Sequence, residues 1–325
     1  MNSPRPNTFD AANARELCAA SAAAYETAVT AERAHLDAAT AVGRRCRSAE
    51  TSGERSRLRS PRIAMSRPLG LEKMGQSGSF ALPKLAAVSR CAPAELSANA
   101  KLKQTGIWSD ATDTHVLITR RDDDLIVAFR GTADLRNWLT DLDCELIRVG
   151  NCRFHRGFYE AMKAVEPDLS AELGEAQGVR LWVTGHSLGG ALAMLWALWA
   201  VRNGYEIAGV YTFGQPRAGD AAFSQLYDSK LRAWTWRSVH AEDIVPRLPW
   251  LLRRYRHAGH EAFYPLSAPP LPVLDRPFWT RLPSEARGLA RELCQGKLAL
   301  LADHHVSRYL ALFPETRAAD CILHS

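Results

Sequence analysis

The stretch Val179-Arg-Leu-Trp-Val-Thr-Gly-His-Ser187-Leu-Gly-Gly190 decides how the rest of the chain is read. Strand-forming apolar residues lead into Gly185-His186-Ser187-Leu188-Gly189, and an apolar run rich in Ala and Leu follows to residue 202. A G-x-S-x-G pentapeptide between a strand and a helix holds its serine in a strained turn. The glycines are needed because side chains at Gly185 and Gly189 would collide with neighbouring backbone. The hydroxyl of Ser187 is thereby presented at the end of a sheet, near the positive end of the following helix. A turn that merely tightened strand–helix packing would leave the serine unexplained, so Ser187 is the candidate nucleophile.

Outward from this point, β-rich runs lie at 115–119, 125–129, 145–149, 179–184, 207–213 and 234–239, with helical patterns at 157–177, 188–202 and 220–230. The alternation predicts an α/β protein whose sheet is covered on both faces, partly parallel and hairpin-built at its start. Residues 246–283 carry eight prolines and read as loops, before a last helical segment at 285–313. Upstream, residues 11–42 hold 14 Ala, with Leu17, Tyr25, Val29 and Leu36 among the few sizeable apolar side chains. Such a helix can dock on a larger body but cannot build a core. From 43 to about 78 the chain is rich in Arg, Ser, Gly and Pro, the composition of a disordered connector. The expected organisation is a helical segment at 1–43, a basic linker at 44–79 and a catalytic domain at 80–325.

With 325 residues, 46% hydrophobic and 23% charged, the chain is not collagen-like, a coiled coil or wholly disordered. Its net charge of +6 is local: eight Arg and two Glu lie between Arg44 and Arg67, leaving 33 basic and 33 acidic side chains elsewhere from totals of 41 and 35. A neutral body gives no reason to expect a nucleic-acid partner. Residues 44–67 read either as solvated disorder or as a peripheral contact to an anionic membrane. The seven cysteines show no CxxC or CxxH spacing, so neither a disulfide framework nor a zinc site is indicated, and only Cys144 and Cys152 flank a turn they could bridge. Reduced thiols, the lack of an apolar run of about 18 residues, and a first 30 residues without a basic start and apolar core lead to a cytoplasmic expectation, with non-classical secretion left open.

A serine hydroxyl is a poor nucleophile at neutral pH and needs a base oriented by a carboxylate. Downstream, Asp243 follows a strand and precedes Ile-Val-Pro-Arg-Leu-Pro, and Ala302-Asp-His-His-Val-Ser-Arg-Tyr309 supplies imidazoles at 304 and 305. Asp220 and Asp303 compete with Asp243; Asp220 suits a helix cap, and Asp303 adjoins the base too closely to reach its far nitrogen. His186 reads as a packing and hydrogen-bonding residue, and His257 and His260 as structural. An oxyanion needs donors: Thr132, after the strand ending Phe129-Arg-Gly131, offers its N–H and hydroxyl, and Leu188 its backbone N–H. Leu135, Trp138, Leu139 and Leu142 then fall at i, i+3, i+4, i+7, an amphipathic helix that is either docked on the core or a cover for the site. Trp250, Tyr255, Phe263, Tyr264, Phe278 and Trp279 could line a pocket or anchor loops. No residue cluster calls for a metal or a cofactor.

Phe129-Arg-Gly-Thr, Asn137-Trp-Leu-Thr-Asp-Leu, Phe154-His-Arg-Gly-Phe-Tyr, Thr184-Gly-His-Ser-Leu-Gly-Gly-Ala, Tyr211-Thr-Phe-Gly-Gln-Pro-Arg-Ala-Gly-Asp, Asp243-Ile-Val-Pro, Tyr255-Arg-His-Ala-Gly and Asp303-His304 with Tyr309 occur in order across about 105–313. In these segments the chain resembles the class 3 (fungal-type) lipases of the α/β-hydrolase superfamily. The resemblance implies a mostly parallel central sheet with helices on both faces and a lid helix formed by Leu135, Trp138, Leu139 and Leu142. It implies a triad of Ser187, Asp243 and His304, with Thr132 and Leu188 as oxyanion hole. His304 is selected over His305 because the family's base directly follows an Asp and precedes a Tyr by five residues. Weak matches at Phe9-Asp and Ala20-Ser with Tyr25 link the N-terminal helix to the family's bacterial form. The implied activity is carboxylic ester hydrolysis on acylglycerols, at a lipid–water interface and without a cofactor. Phospholipase A1, feruloyl-type esterase and acyltransferase chemistries would use the same site, and a non-catalytic binding module is a remaining alternative.

Overall fold

The computed structural model describes residues 5–27, 90–91, 104–109, 111–131, 144–174, 178–240, 243–249, 254–265, 272–276 and 304–313. Its centre is a parallel block of five strands, β4 (Asp124–Phe129), β7 (Arg180–His186), β8 (Ile207–Phe213), β10 (Thr235–His240) and β12 (His260–Tyr264), paired in that order. Antiparallel strands β1 (Arg90–Cys91), β2 (Gln104–Ser109) and β3 (Thr114–Arg121) extend one edge, and β13 (Val273–Leu274) the other, to make nine strands.

Both faces of this sheet are buried, and the two-residue period of a strand divides its side chains between them. Leu125, Val127 and Phe129 of β4 and Leu181 and Val183 of β7 join one apolar cluster, whereas Ile126 and Trp182 join another. The first cluster is completed by helices α2 (Arg156–Leu173), α3 (Leu188–Arg202) and α4 (Ala221–Leu231). The second is closed by α1 (11–27) and α5 (Val306–Ala311), through Ala14, Leu17, Cys18, Tyr309 and the adjoining Phe313. The α/β-hydrolase architecture follows: a helix-covered sheet with a parallel centre.

The thin stripe of α1 docks because its buried positions are small. Asp10 caps the helix by accepting from the Asn13 N–H at 2.8 Å. Ala14, Cys18, Ser21 and Ala24 then let the helix approach the sheet closely, and Leu17, fully buried, contributes about 2 kcal/mol by transfer from water. Residues Met1–Val29 and Val88–Ser325 form one compact unit. The stretch assigned to a linker, 44–79, lies outside the described residues, as do the expected lid at 133–142 and residues 285–303.

Residues 145–149 depart from the expected alternation. Strand β5 (Leu146–Val149) does not join the main sheet; it forms a hairpin with β6 (Cys152–His155), extended by β9 (Gly219–Asp220) and β11 (Tyr255–Arg256) into a separate antiparallel sheet. Its side chains are half-buried or exposed throughout, a solvated surface ribbon rather than a strand enclosed on both faces. No disulfide joins Cys144 to Cys152. Among the described residues no helix is long and apolar enough to cross a membrane.

Candidate active site

Ser187 follows β7 directly and stands at the start of α3 with φ 58° and ψ −131°. Such a conformation costs a non-glycine residue roughly 1–3 kcal/mol. It is held by the Ser187 N–H donating to the Phe213 carbonyl and the Gly190 N–H donating to the Ser187 carbonyl, each at 2.9 Å. It also needs bare backbone on both sides: a methyl group at Gly185 would lie 2.3 Å from the backbone of Gly189, and one at Gly189 would lie 2.2 Å from the Phe129 carbonyl oxygen. The turn therefore locks the ends of β4, β7 and β8 together around the serine. The first N–H groups of a helix have no partner within it, and Leu188 supplies the first of α3.

Asp243, fully buried, lies just beyond β10. Its Oδ1 accepts from the Val245 N–H at 2.9 Å, and its Oδ2 accepts from His304 Nδ1 at 2.7 Å and from the Tyr309 hydroxyl at 2.5 Å. The Nδ1 proton is thus assigned by its carboxylate partner, which leaves Nε2 with a lone pair facing away. Among the described residues neither His304 Nε2 nor Ser187 Oγ has a hydrogen-bond partner, although both atoms are buried. Trp196 Nε1 is likewise buried without a partner among the described residues, so what sets these two atoms apart is their chemistry: a base nitrogen and a hydroxyl, the groups that a nucleophilic site requires.

The loop carrying Asp243 is clamped from the motif after β8. The Arg217 N–H donates to the Leu248 carbonyl at 2.9 Å, and its guanidinium donates to the carbonyls of Arg247 and Pro249. His257 Nε2 donates to the Pro246 carbonyl at 2.6 Å. The neighbouring candidates have other tasks. Asp220 caps α4 by accepting from the Phe223 N–H, and His305, exposed, caps α5 by accepting from the Ser307 N–H. Tyr255 donates to the Cys144 carbonyl, and Phe263 packs under the Arg276 guanidinium. Thr132, Leu135, Trp138, Leu139, Leu142, Trp250, Phe278, Trp279 and Asp303 lie outside the described residues.

Two participants were not assigned a task from the sequence. Tyr309 was a motif position only, yet its hydroxyl donates to Asp243 while accepting from the His240 N–H at 3.2 Å; burial and the adjacent carboxylate push its phenol well above the ordinary tyrosine range. Its spacing from His304 was the available signal. Tyr25 of α1 reaches His186 across 161 positions of sequence, a contact that the weak family match at Tyr25 did not disclose. Among the described residues no group of three His, Cys, Asp or Glu side chains is arranged to hold a metal.

A parallel sheet that ends in a glycine-bounded serine, with a carboxylate-oriented histidine whose ring packs on His186, is the architecture of an α/β-hydrolase. Residues 126–252 match the family model of class 3 lipases. The chain is 33% identical over 182 residues to a secreted mono- and diacylglycerol lipase of Fusarium solani, covering 53% of this chain and 52% of that protein. It is 34% identical over 174 residues to a Rhizomucor miehei lipase, covering 49% and 48%. The solved Rhizomucor miehei lipase propeptide complex overlays with a TM-score of 0.48 at 32% identity, covering 53% of this chain and 60% of that one. Over residues 126–252 the chain is similar to class 3 lipases, and it spans about half the length of the curated relatives it matches.

These relatives correct one expectation. A cytoplasmic location does not stand, because matching lipases of Fusarium solani and of Penicillium cyclopium are named as secreted enzymes. The cytoplasmic reading rested on reduced thiols, on the lack of an apolar run of about 18 residues and on the pattern of the first 30 residues.

Proposed function

We propose that the protein hydrolyses carboxylic esters through an acyl-enzyme, with acylglycerols as its substrates. The observation that carries this reading is that Ser187 Oγ and His304 Nε2 are both buried and without a hydrogen-bond partner among the described residues, with the imidazole already oriented by Asp243. Ser187 attacks the ester carbonyl as His304 Nε2 takes its proton, and Asp243 stabilises the imidazolium that forms. The Leu188 N–H, with the N–H and hydroxyl of Thr132, receives the oxyanion; one such donor contributes roughly 3 kcal/mol in the transition state. His304 then protonates the leaving alcohol, and water activated by the same nitrogen releases the acid. No step calls for a metal or organic cofactor. The apolar face of Leu135, Trp138, Leu139 and Leu142 acts as a lid that turns outward at a lipid surface.

A fluorophosphonate probe tests the nucleophile: mass analysis should find the adduct on Ser187, and a protein that remains unlabelled removes the proposal. Turnover of triolein above that of phosphatidylcholine and of feruloyl esters supports the acylglycerol reading, and the reverse order reassigns the substrate to the favoured ester.

The surface-acting reading gains a second element from Arg44–Arg67, where each basic residue near an anionic membrane contributes about 1 kcal/mol. Deleting 44–67 should weaken sedimentation with phosphatidylserine-containing vesicles while sparing turnover of a soluble ester. Unchanged vesicle binding would leave the stretch as a solvated connector.

A further inference from the structure

The buried atoms around the elbow form a single directed chain of donors and acceptors that starts on α1. The His304 carbonyl can only accept, so the 2.6 Å contact from His186 Nε2 fixes the proton on that nitrogen. Burial, and then the neighbouring His304 imidazole, hold His186 well below the ordinary histidine range, so the ring is neutral and its Nδ1 is a bare lone pair. That lone pair accepts from the Tyr25 hydroxyl at 3.1 Å. The Gly131 backbone packs against the same phenol oxygen. The order is therefore Tyr25 O–H to His186 Nδ1, and His186 Nε2–H to the carbonyl of His304. Bonds arranged head to tail in a low-dielectric interior polarise one another.

The three segments joined in this way are the ones the proposed reaction must keep in register. Gly131 immediately precedes Thr132, His186 immediately precedes Ser187, and His304 is the base. The fit leaves no slack: a methyl group at Gly131 would lie 2.2 Å from the Tyr25 oxygen, 2.7 Å from the His186 carbonyl oxygen and 3.2 Å from Ser187 Cβ. The rings of His186 and His304 pack with centroids 4.5 Å apart, so movement of one displaces the other.

We infer that Tyr25 is a positioning residue: through its hydroxyl, α1 sets the oxyanion strand, the elbow and the base at their working separation. The inference rests on the ester-hydrolase reading of Ser187. It also makes α1, which lies N-terminal to the matched segment 126–252, part of the working site rather than an external brace.

The test compares Tyr25→Phe with Ser21→Ala in the full chain, using a soluble p-nitrophenyl ester, the rate of fluorophosphonate labelling and thermal unfolding. Ser21 lies one turn earlier on α1 and anchors the same helix through its hydroxyl, 2.9 Å from Thr184 Oγ1, outside the contacts that reach Gly131, His186 and His304. Tyr25→Phe keeps the ring and leaves His186 Nδ1 without its donor, so kcat and the labelling rate should fall roughly tenfold with KM within twofold. Ser21→Ala should lower the melting temperature and leave kcat per labelled site unchanged. Wild-type kcat in Tyr25→Phe, or an equal loss of kcat in Ser21→Ala, overturns the positioning role while the ester-hydrolase reading stands. Failure of the wild type itself to be labelled overturns both.

Discussion

Ser187→Ala lowers turnover of a soluble ester by about a millionfold and at the same time stabilises the fold by about 1 kcal/mol. The first effect follows from removing the atom that forms the acyl-enzyme in the proposed reaction; in a comparable triad, loss of the nucleophile costs about as much as loss of all three members. The second follows from burial. Ser187 is 2% exposed, and its Oγ has no partner among the described residues, so the folded protein bears the cost of drying a hydroxyl that bonds to water when unfolded. Alanine keeps the same Cβ and the same strained backbone, which leaves the elbow unaltered. Rate measurements with calorimetry on the purified variant check both parts. Residual turnover near wild type would eliminate Ser187 as nucleophile, and a lower melting temperature would mean that the hydroxyl has a structural partner.

Asp243→Asn should reduce kcat by about ten thousandfold with little change in KM, because it reverses the polarity of one hydrogen bond. Asp243 Oδ2 accepts from two donors at once, His304 Nδ1–H and the Tyr309 hydroxyl. Asparagine has one acceptor oxygen, and Oδ1 already takes the Val245 N–H. Whichever way the amide turns, a donor meets a donor. With the NH2 group at the Oδ2 position, the imidazole is driven to carry its proton on Nε2, where it can no longer accept from Ser187. The Tyr309 hydroxyl loses its acceptor as well, so the variant should also unfold at lower temperature. A pH–rate profile with the chemical shift of the His304 ring nitrogens reads the tautomer directly; an unchanged tautomer with lost activity would place the role of Asp243 elsewhere.

The parts of this site that were legible from the residues are those whose chemistry is local in sequence. The elbow needs its glycines within two positions of the serine, so Gly185-x-Ser187-x-Gly189 is visible without knowledge of any neighbour. Asp243 was visible because a strand ends beside it, and His304 because its flanking Asp303 and Tyr309 match a pattern. Illegible parts depend on contacts made at a distance. Strand β12 is buried along its whole length against β10, yet it lies inside a stretch whose prolines dominate the pattern. The ribbon built from β5, β6, β9 and β11 uses pieces of two to four residues, too short to show a period. Tyr25 looked like one of the few large side chains on an alanine-rich helix, and only the fold reveals that its hydroxyl meets the residue before the nucleophile.

That last contact bears on how activity emerges during folding. Tyr25 and His186 are 161 positions apart, His186 and His304 are 118 apart, and Asp243 and His304 are 61 apart. Each closes a long loop whose entropy must be met before the contact is rewarded, and proteins dominated by such contacts fold slowly. Helices α2 and α3 can form from local interactions while none of these closures exists. The catalytic power of a refolding sample is therefore a late reporter: compaction and helicity return first, and turnover counts only the molecules in which both ends of the chain have come home to the same face of the sheet.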